Sequence, residues 1–269
     1  VVRAHWPRAS RNGVLMATFG ISMVKDEADI VATTVANMLE QVDHVIVSDN
    51  GSTDGTREIL AELDVELLDD PDPAYYQSVK MTALAQRAAD AGADFVVPFD
   101  ADEYWYTPHA PSIAAFLSEV ATQWLTVTAE LYDHVATGDD PALDDPIERI
   151  AWRRIQPAPL PKVACRTRSD LVIHQGNHGA TYNGGPTSLP GLIVRHYPYR
   201  SAAQFVSKVR NGAAAYASTD LPITEGQHWR QYGQLLDAHG PEVVEDVFRT
   251  WFWVADPHAD PSLILDPAP

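Results

Sequence analysis

Between residues 14 and 99 the sequence switches repeatedly from β-rich runs to stretches with helical spacing, and this alternation limits the fold more than any other feature. Residues 14–24, 43–47, 65–68 and 93–99 read as strands, and residues 28–40, 55–63 and 75–91 as the helices between them. Strands joined through helices at this spacing are βαβ units. They predict an α/β fold with a mostly parallel sheet flanked by helices. Helices are also predicted over residues 113–120, 202–216, 226–238 and 242–252, and Trp251, Phe252 and Trp253 are expected to bury the last of them. Seven Asp-Pro pairs punctuate the chain, each biasing its aspartate away from helix. Five prolines between Gly138 and Pro161 predict a linker, and the tail after Asp256 reads as loosely ordered.

Composition then removes whole classes of function. A chain of 269 residues with 45% hydrophobic and 21% charged residues is globular rather than disordered. No apolar run reaches the ~18–20 residues of a membrane span, and none has the form of a signal-peptide core. The expectation is a cytoplasmic protein, peripheral at a membrane if its partner is a lipid. The single cysteine, Cys165, excludes a disulfide framework and a cysteine-built zinc site. A net charge of −18 argues against coating nucleic acid. That charge is unevenly spread: residues 149–210 carry ten basic residues and one acid, so this block is +9 and the remainder −27. On charge alone the block is either a solvated basic face or a surface for phosphate groups.

In open parallel sheets, ligands bind beyond the carboxyl ends of the strands. There the sequence places Lys25, Asp26 and Glu27 after the first strand, and Asp49 and Asn50 after the second. Asp69 and Asp70 follow the third, and Asp100, Asp102 and Glu103 the fourth. One such acid is an ordinary cap or turn residue. Four acidic strand ends together predict a crevice for a cation or a hydroxyl-rich ligand. Neither G-x-G-x-x-G after the first strand nor G-x-x-x-x-G-K-[ST] occurs. The stretch from Asp49 to Gly55 is not an EF-hand loop, because Leu60 stands where the bidentate glutamate is needed. A phosphatase-type aspartyl nucleophile is excluded likewise, since Glu103 and Tyr104 supply no hydroxyl residue soon after Asp102 in the required form.

Residues 45–56 (VIVSDNGSTDGT) resemble the second-strand motif of family-2-like glycosyltransferases of the GT-A fold, and residues 99–105 (FDADEYW) resemble their D-x-D motif. Residues 24–30 (VKDEADI) are similar to the K-N-E-A-D opening of one branch, with Asp26 in place of asparagine. Residues 196–208 (HYPYRSAAQFVSK) are similar to that branch's C-terminal H-Y…R-S…F…K segment. The resemblance implies a GT-A (Rossmann-like) domain over residues 13–212. Its nucleotide-binding half is 13–107 and its acceptor- and metal-completing half 108–212, with a helical C-terminal extension over 213–269.

The activity so implied is metal-dependent transfer of a sugar from a nucleotide-diphosphate sugar, a UDP-sugar by preference, to an acceptor hydroxyl, with inversion preferred by the resemblance and retention left open. A divalent cation, Mn2+ or Mg2+, would stabilise the leaving diphosphate. The resemblance implies that Asp102 ligates it, that Asp100 shares it or holds the ribose, and that His196 is the third ligand. Asp49 is expected to accept a hydrogen bond from the base, with Lys25 and Glu27 beside the nucleoside. Arg200 and Lys208, with Lys80, Lys162 and Arg195, are expected to counter the diphosphate. Tyr75, Tyr76, Tyr104, Trp105 and Tyr106 are candidates for stacking on sugar or base. His174 and His178 are expected on the acceptor side, with His178 a candidate base, while Asp133 and Asp170 are the acids nearest the positions an inverting base would occupy. The acceptor stays open among glycan, lipid, protein and small molecule. Two other readings stand beside this one. The first is a sugar nucleotidyltransferase, against which the missing glycine- and basic-rich first loop speaks. The second is a non-catalytic carbohydrate- or partner-binding protein, against which intact Asp49, Asp100 and Asp102 speak.

Overall fold

The computed structural model describes residues 16–268, so the polar lead-in and the first two residues of the expected first strand lie outside the described residues. β1 (Thr18–Val24), β2 (His44–Asp49), β3 (Glu66–Asp69) and β4 (Phe95–Pro98) alternate with α1 (Val31–Gln41), α2 (Thr56–Ala61) and α3 (Gln77–Asp90). This is the βαβ series read from the periodicity. β5 (Glu103–Tyr106) and α4 (Ile113–Leu117) follow. The next segment supplies β6 (Thr126–Asp133), β7 (Ala136–Thr137), α5 (Pro146–Arg149), β8 (Trp152–Arg154), β9 (Lys162–Arg166), β10 (Val172–Ile173), β11 (Ala180–Thr181) and β12 (Ser188–His196). Three helices, α6 (Ala202–Ala217), α7 (Gln227–His239) and α8 (Pro241–Trp251), precede the short strands β13 (Trp253–Val254) and β14 (Leu263–Leu265).

Eight strands form one sheet in the order β3-β2-β1-β4-β9-β6-β12-β5. β1 to β4 run parallel, as do β6 and β12, while β9 and β5 are antiparallel to their neighbours. A strand covered by helices on both faces is buried on both, and β1 (TFGISMV) is, with Phe19, Ile21 and Met23 on one face and the smaller Thr18, Gly20, Ser22 and Val24 on the other. On one face Val31, Val35 and Met38 of α1 pack with Val97 and Trp105. On the other, Met81, Leu84 and Ala88 of α3 pack with Phe19 and Ile21. A separate cluster joins Phe205 and Val209 of α6 to Val244 and Phe248 of α8, with Ile30 and Tyr197 beneath them. Among the described residues no helix is long and apolar enough to cross a membrane.

Three expectations are corrected. The proline-rich stretch 138–161 is no linker, because α5 puts Ile147 and Ile150 into the α6–α8 cluster and β8 is paired. The tail is tied down: β14 pairs antiparallel with β8, and Asp266 bridges Arg153 (2.6 Å) and Arg195 (3.0 Å). Finally, α8 buries Val244 and Phe248, with partly buried Phe252 continuing the four-residue stripe just past its end, which leaves Trp251 71% exposed and Trp253 37% exposed. Helix α6 also runs across residue 212, so the expected boundary there falls inside a helix.

Candidate functional site

The carboxyl ends of β1 and β4, the turn into β5 and the end of β12 open on a cleft of about 940 Å3, closed on its far side by α6, the 218–226 connection and α7. Local sequence builds the floor. The turn after β2 is stitched to the end of β1: Thr56 Oγ1 accepts from Glu27 N (2.8 Å), Asp54 from Ala28 N (3.0 Å) and Asp26 from Thr53 N (2.7 Å). Asp26 itself has φ 51°, a left-handed conformation that short polar side chains such as Asp and Asn adopt at least cost. The D-N-G-S-T-D-G-T stretch is thus in large part the turn chemistry that holds two strand ends together.

Around Asp102 the charges are dense. Lys208 Nζ bonds Asp102 Oδ2, and His196 Nε2 lies 3.7 Å from Asp102 Oδ1. The other imidazole nitrogen of His196 bonds Asp133 (2.7 Å). Burial opposes ionisation of Asp102, but Lys208, His196 and Arg200 outweigh it and hold the carboxyl far below the usual range. Burial likewise pulls His196 down, yet Asp102 and Asp133 raise its pKa above the ordinary histidine value. Asp100 is caged by neutral and charged donors: Gln77 Nε2 (3.0 Å), Asn177 Nδ2 (3.0 Å) and Lys162 Nζ (2.6 Å). Lys162 also reaches buried Glu103 (2.7 Å). His178 Nδ1 stands 3.0 Å from the Pro161 carbonyl, and burial together with Lys162 lowers its pKa.

Lys25, Glu27, Asp100, Asp102, His178, His196 and Lys208 all line the cleft. Asp26, Asn50, Tyr75 and Lys162 line it too, and the remaining candidates do not. Asp49 is buried (3% exposed) beneath the floor, accepting from Ser52 N (3.2 Å). Lys80 faces Asp70 (2.7 Å) and Asp69 faces Arg57 (2.7 Å), so the acidic crevice draws nothing from the end of β3. Arg200 is fully buried and clamps Glu27 (2.5 Å) and Asp29 (2.7 Å). Asp133 opens on a second, smaller hollow of about 360 Å3. Asp170 is away from the cleft, bonded to Arg168 (2.8 Å) and Asn183 N (2.9 Å), and His174 turns to Thr181 (2.7 Å). Of the five aromatic candidates only Tyr75 lines the cleft; Trp105 is in the core and Tyr76 bonds Asp220.

The basic block is mostly spent on internal partners: Arg153 and Arg195 on Asp266, Arg154 on Asp260, Arg168 on Asp170. Only its Lys162 and Lys208 reach the cleft. Gln77, Asn177 and Asp29, which fix Asp100 and Arg200, went unseen in the sequence. Neutral amides carry no motif, and Asp29 belongs to the opening motif without announcing its partner.

Asp100, Asp102 and His196 do not converge as three ligands, and among the described residues no group of three or more His, Cys, Asp or Glu side chains is arranged to hold a metal. The donor chemistry still suits a divalent cation. Asp102 and His196 present an oxygen and a nitrogen to one another, and Asp133 on the far side of the imidazole is the carboxylate support that metal-bound histidines commonly carry. A cation that keeps several positions for phosphate oxygens needs only one or two protein ligands.

Comparison with known proteins matches the family model described as glycosyl transferase family 2 to residues 21–158. A TPR repeat-containing protein of Synechococcus elongatus is 34% identical over 92 residues, which are 34% of this chain and 22% of that protein. The chain therefore spans about a fifth of that relative's length. Among solved structures, a mannosyltransferase from Pyrobaculum calidifontis in complex with GDP-Man and Mn2+ is 14% identical, covering 91% of this chain and 77% of its own, with a TM-score of 0.45. Glucosyl-3-phosphoglycerate synthase from Mycobacterium tuberculosis, in complex with Mn2+, UDP and phosphoglyceric acid, is 19% identical over 43% of each chain, with a TM-score of 0.32. The family model covers just over half of the 269 residues, including the β2–β4 part of the mostly parallel sheet. The chain belongs to glycosyl transferase family 2.

Proposed function

We propose that the cleft binds a nucleotide-diphosphate sugar, a UDP-sugar first among them, together with Mn2+ or Mg2+, and transfers the sugar with inversion to an acceptor hydroxyl. The observation that carries this reading is the Asp102–His196 pair, backed by Asp133 and set at the carboxyl ends of parallel strands. Asp102 and His196 would hold the cation, which when bound neutralises charge on the departing diphosphate. Lys208, bonded to Asp102, is placed to pass to a diphosphate oxygen. The caged Asp100 offers a fixed acceptor for a ribose hydroxyl, and Lys25 holds the Asn50 and Gly51 carbonyls (2.7 and 3.0 Å) beside the nucleoside. Asp49 and Lys80 support that floor from outside the cleft, and Arg200 does so by fixing Glu27.

Of the three base candidates, His178 fits the role. A peptide carbonyl only accepts, so Nδ1 carries the hydrogen toward Pro161 and Nε2 keeps a lone pair. Its lowered pKa keeps that nitrogen neutral at physiological pH. Asp133 is a positioning residue for His196, and Asp170 takes no part. The acceptor oxygen bonds to the anomeric carbon, the bond from that carbon to the diphosphate breaks with its electron pair, and the acceptor proton passes to His178 Nε2.

A thermal-shift screen of Mn2+ with UDP or GDP tests the reading. A metal-dependent rise in Tm that Asp102→Ala removes is expected. No shift with any nucleotide–metal pair would sink it.

A further inference from the structure

The wall facing Asp102 differs chemically from the floor. The floor's lysines are committed, Lys162 to Asp100 and Glu103, Lys208 to Asp102, and Lys25 to two carbonyls. On the facing wall, Thr224, Gln227 and Gln231 line the cleft, exposed and with no side-chain hydrogen bond among the described residues. Trp229 lies half-buried beside them. Its indole packs against Gly212 of α6, where an added Cβ would sit 3.0 Å from Cδ2 and 3.1 Å from Cγ, so glycine is what lets the ring lie close to the helix, and the His228 ring sits beside it with centroids 4.6 Å apart at 48°. Gly233 brings α7 closer still to α6, where an added Cβ would sit 2.4 Å from the Ala213 Cβ, and this fixes the helix that carries the ring. No Lys or Arg of the 218–226 connection or of α7 lines the cleft among the described residues; beside Glu225 the titratable group there is His228, whose pKa burial lowers, and Lys208 of α6 is held by Asp102. Arg230 turns away to the Glu225 carbonyl (3.3 Å) and Thr219 (3.4 Å).

We infer that the acceptor is a neutral saccharide, seated with a sugar C–H face against the paired Trp229 and His228 rings and its hydroxyls on Thr224, Gln227 and Gln231. The inference rests on the donor reading above and names the substrate class of the same site. A sugar hydroxyl both donates and accepts, as amide and hydroxyl side chains do, and a rigid aromatic face matches the apolar face of a pyranose. A phosphate- or carboxylate-bearing acceptor would meet Glu225 and find no uncommitted cation on this wall.

The test supplies the whole protein with Mn2+ and a sugar nucleotide of the base that gives the thermal shift. It offers neutral methyl glycosides and disaccharides beside 3-phosphoglycerate and vesicles containing a polyprenyl phosphate. Saturable transfer to a neutral sugar is expected, with Trp229→Ala raising the acceptor KM about tenfold at little cost in kcat. Gln227→Ala and Gln231→Ala carry the same expectation should the tryptophan variant not fold. Transfer confined to the phosphorylated compounds, donor hydrolysis with no neutral sugar accepted, or an unchanged KM in these variants would each overturn the inference. Absence of both the metal–nucleotide shift and donor hydrolysis would instead overturn the donor reading, and this one with it.

Discussion

Two histidines lining the same cleft are pushed in opposite directions by their surroundings. Burial and the Lys162 ammonium lower His178, although the Pro161 carbonyl and Asp100 oppose them. At His196 the same burial is overcome by Asp102 and Asp133, and the pKa rises. The pair therefore divides into a neutral imidazole suited to taking a proton and one held against carboxylates. Transfer should fall as pH drops through the lowered His178 pKa, below the ordinary 6.5, and stay level from there to pH 8. His178→Asn should flatten that acid limb and lower kcat by roughly 10²–10⁴-fold, read from kcat–pH profiles. A profile keeping its acid limb in the variant would reassign the base. The sequence singles out His178 as a candidate base and His196 as a ligand, but it shows neither their opposite pKa shifts nor, for His174 and His178 four residues apart, which one reaches the cleft. Only the fold turns one to Thr181 and the other into the cleft.

At the scale of elements, the first half was legible and the second was misjudged where pairing is long-range. The periodicity fixed β1 to β4 and their helices because each carries its own apolar pattern, and the observed bounds depart by a few residues at the ends. The tail has no such pattern. Its order comes from β8, more than a hundred residues away, and from one carboxylate, Asp266, that serves both Arg153 and Arg195. Arg195 is 8% exposed and would lose its only ion-pair partner among the described residues. Asp266→Ala should therefore destabilise the fold by about 2 kcal/mol, less than a fully buried pair costs because Asp266 is 28% exposed. Urea unfolding measures it. A change below a few tenths of a kcal/mol would mean that the β8–β14 ladder alone holds the tail.

For the molecule as a whole, Cys165 reports on global unfolding. It is fully buried in β9 between β4 and β6, and burial raises its thiol to about 12. The native protein should resist iodoacetamide at pH 8 and react at the rate of a free thiol once unfolded, as followed by mass spectrometry. Rapid native labelling would show that the centre of the sheet opens locally. The charge map also resolves at this scale. Most of the +9 block is spent on carboxylates elsewhere in the chain, whereas most of the −27 share lies outside these pairs, and the cations left in the cleft are already paired with its carboxylates. The sequence by itself determined the α/β alternation and the loop that ties β1 to β2, because periodicity and turn chemistry act between residues close along the chain. Tertiary structure alone decided which cation meets which carboxylate, which amides cage Asp100, and that the wall of α7 is neutral. Those contacts join residues tens to nearly two hundred positions apart, and no local pattern encodes a partner at that distance.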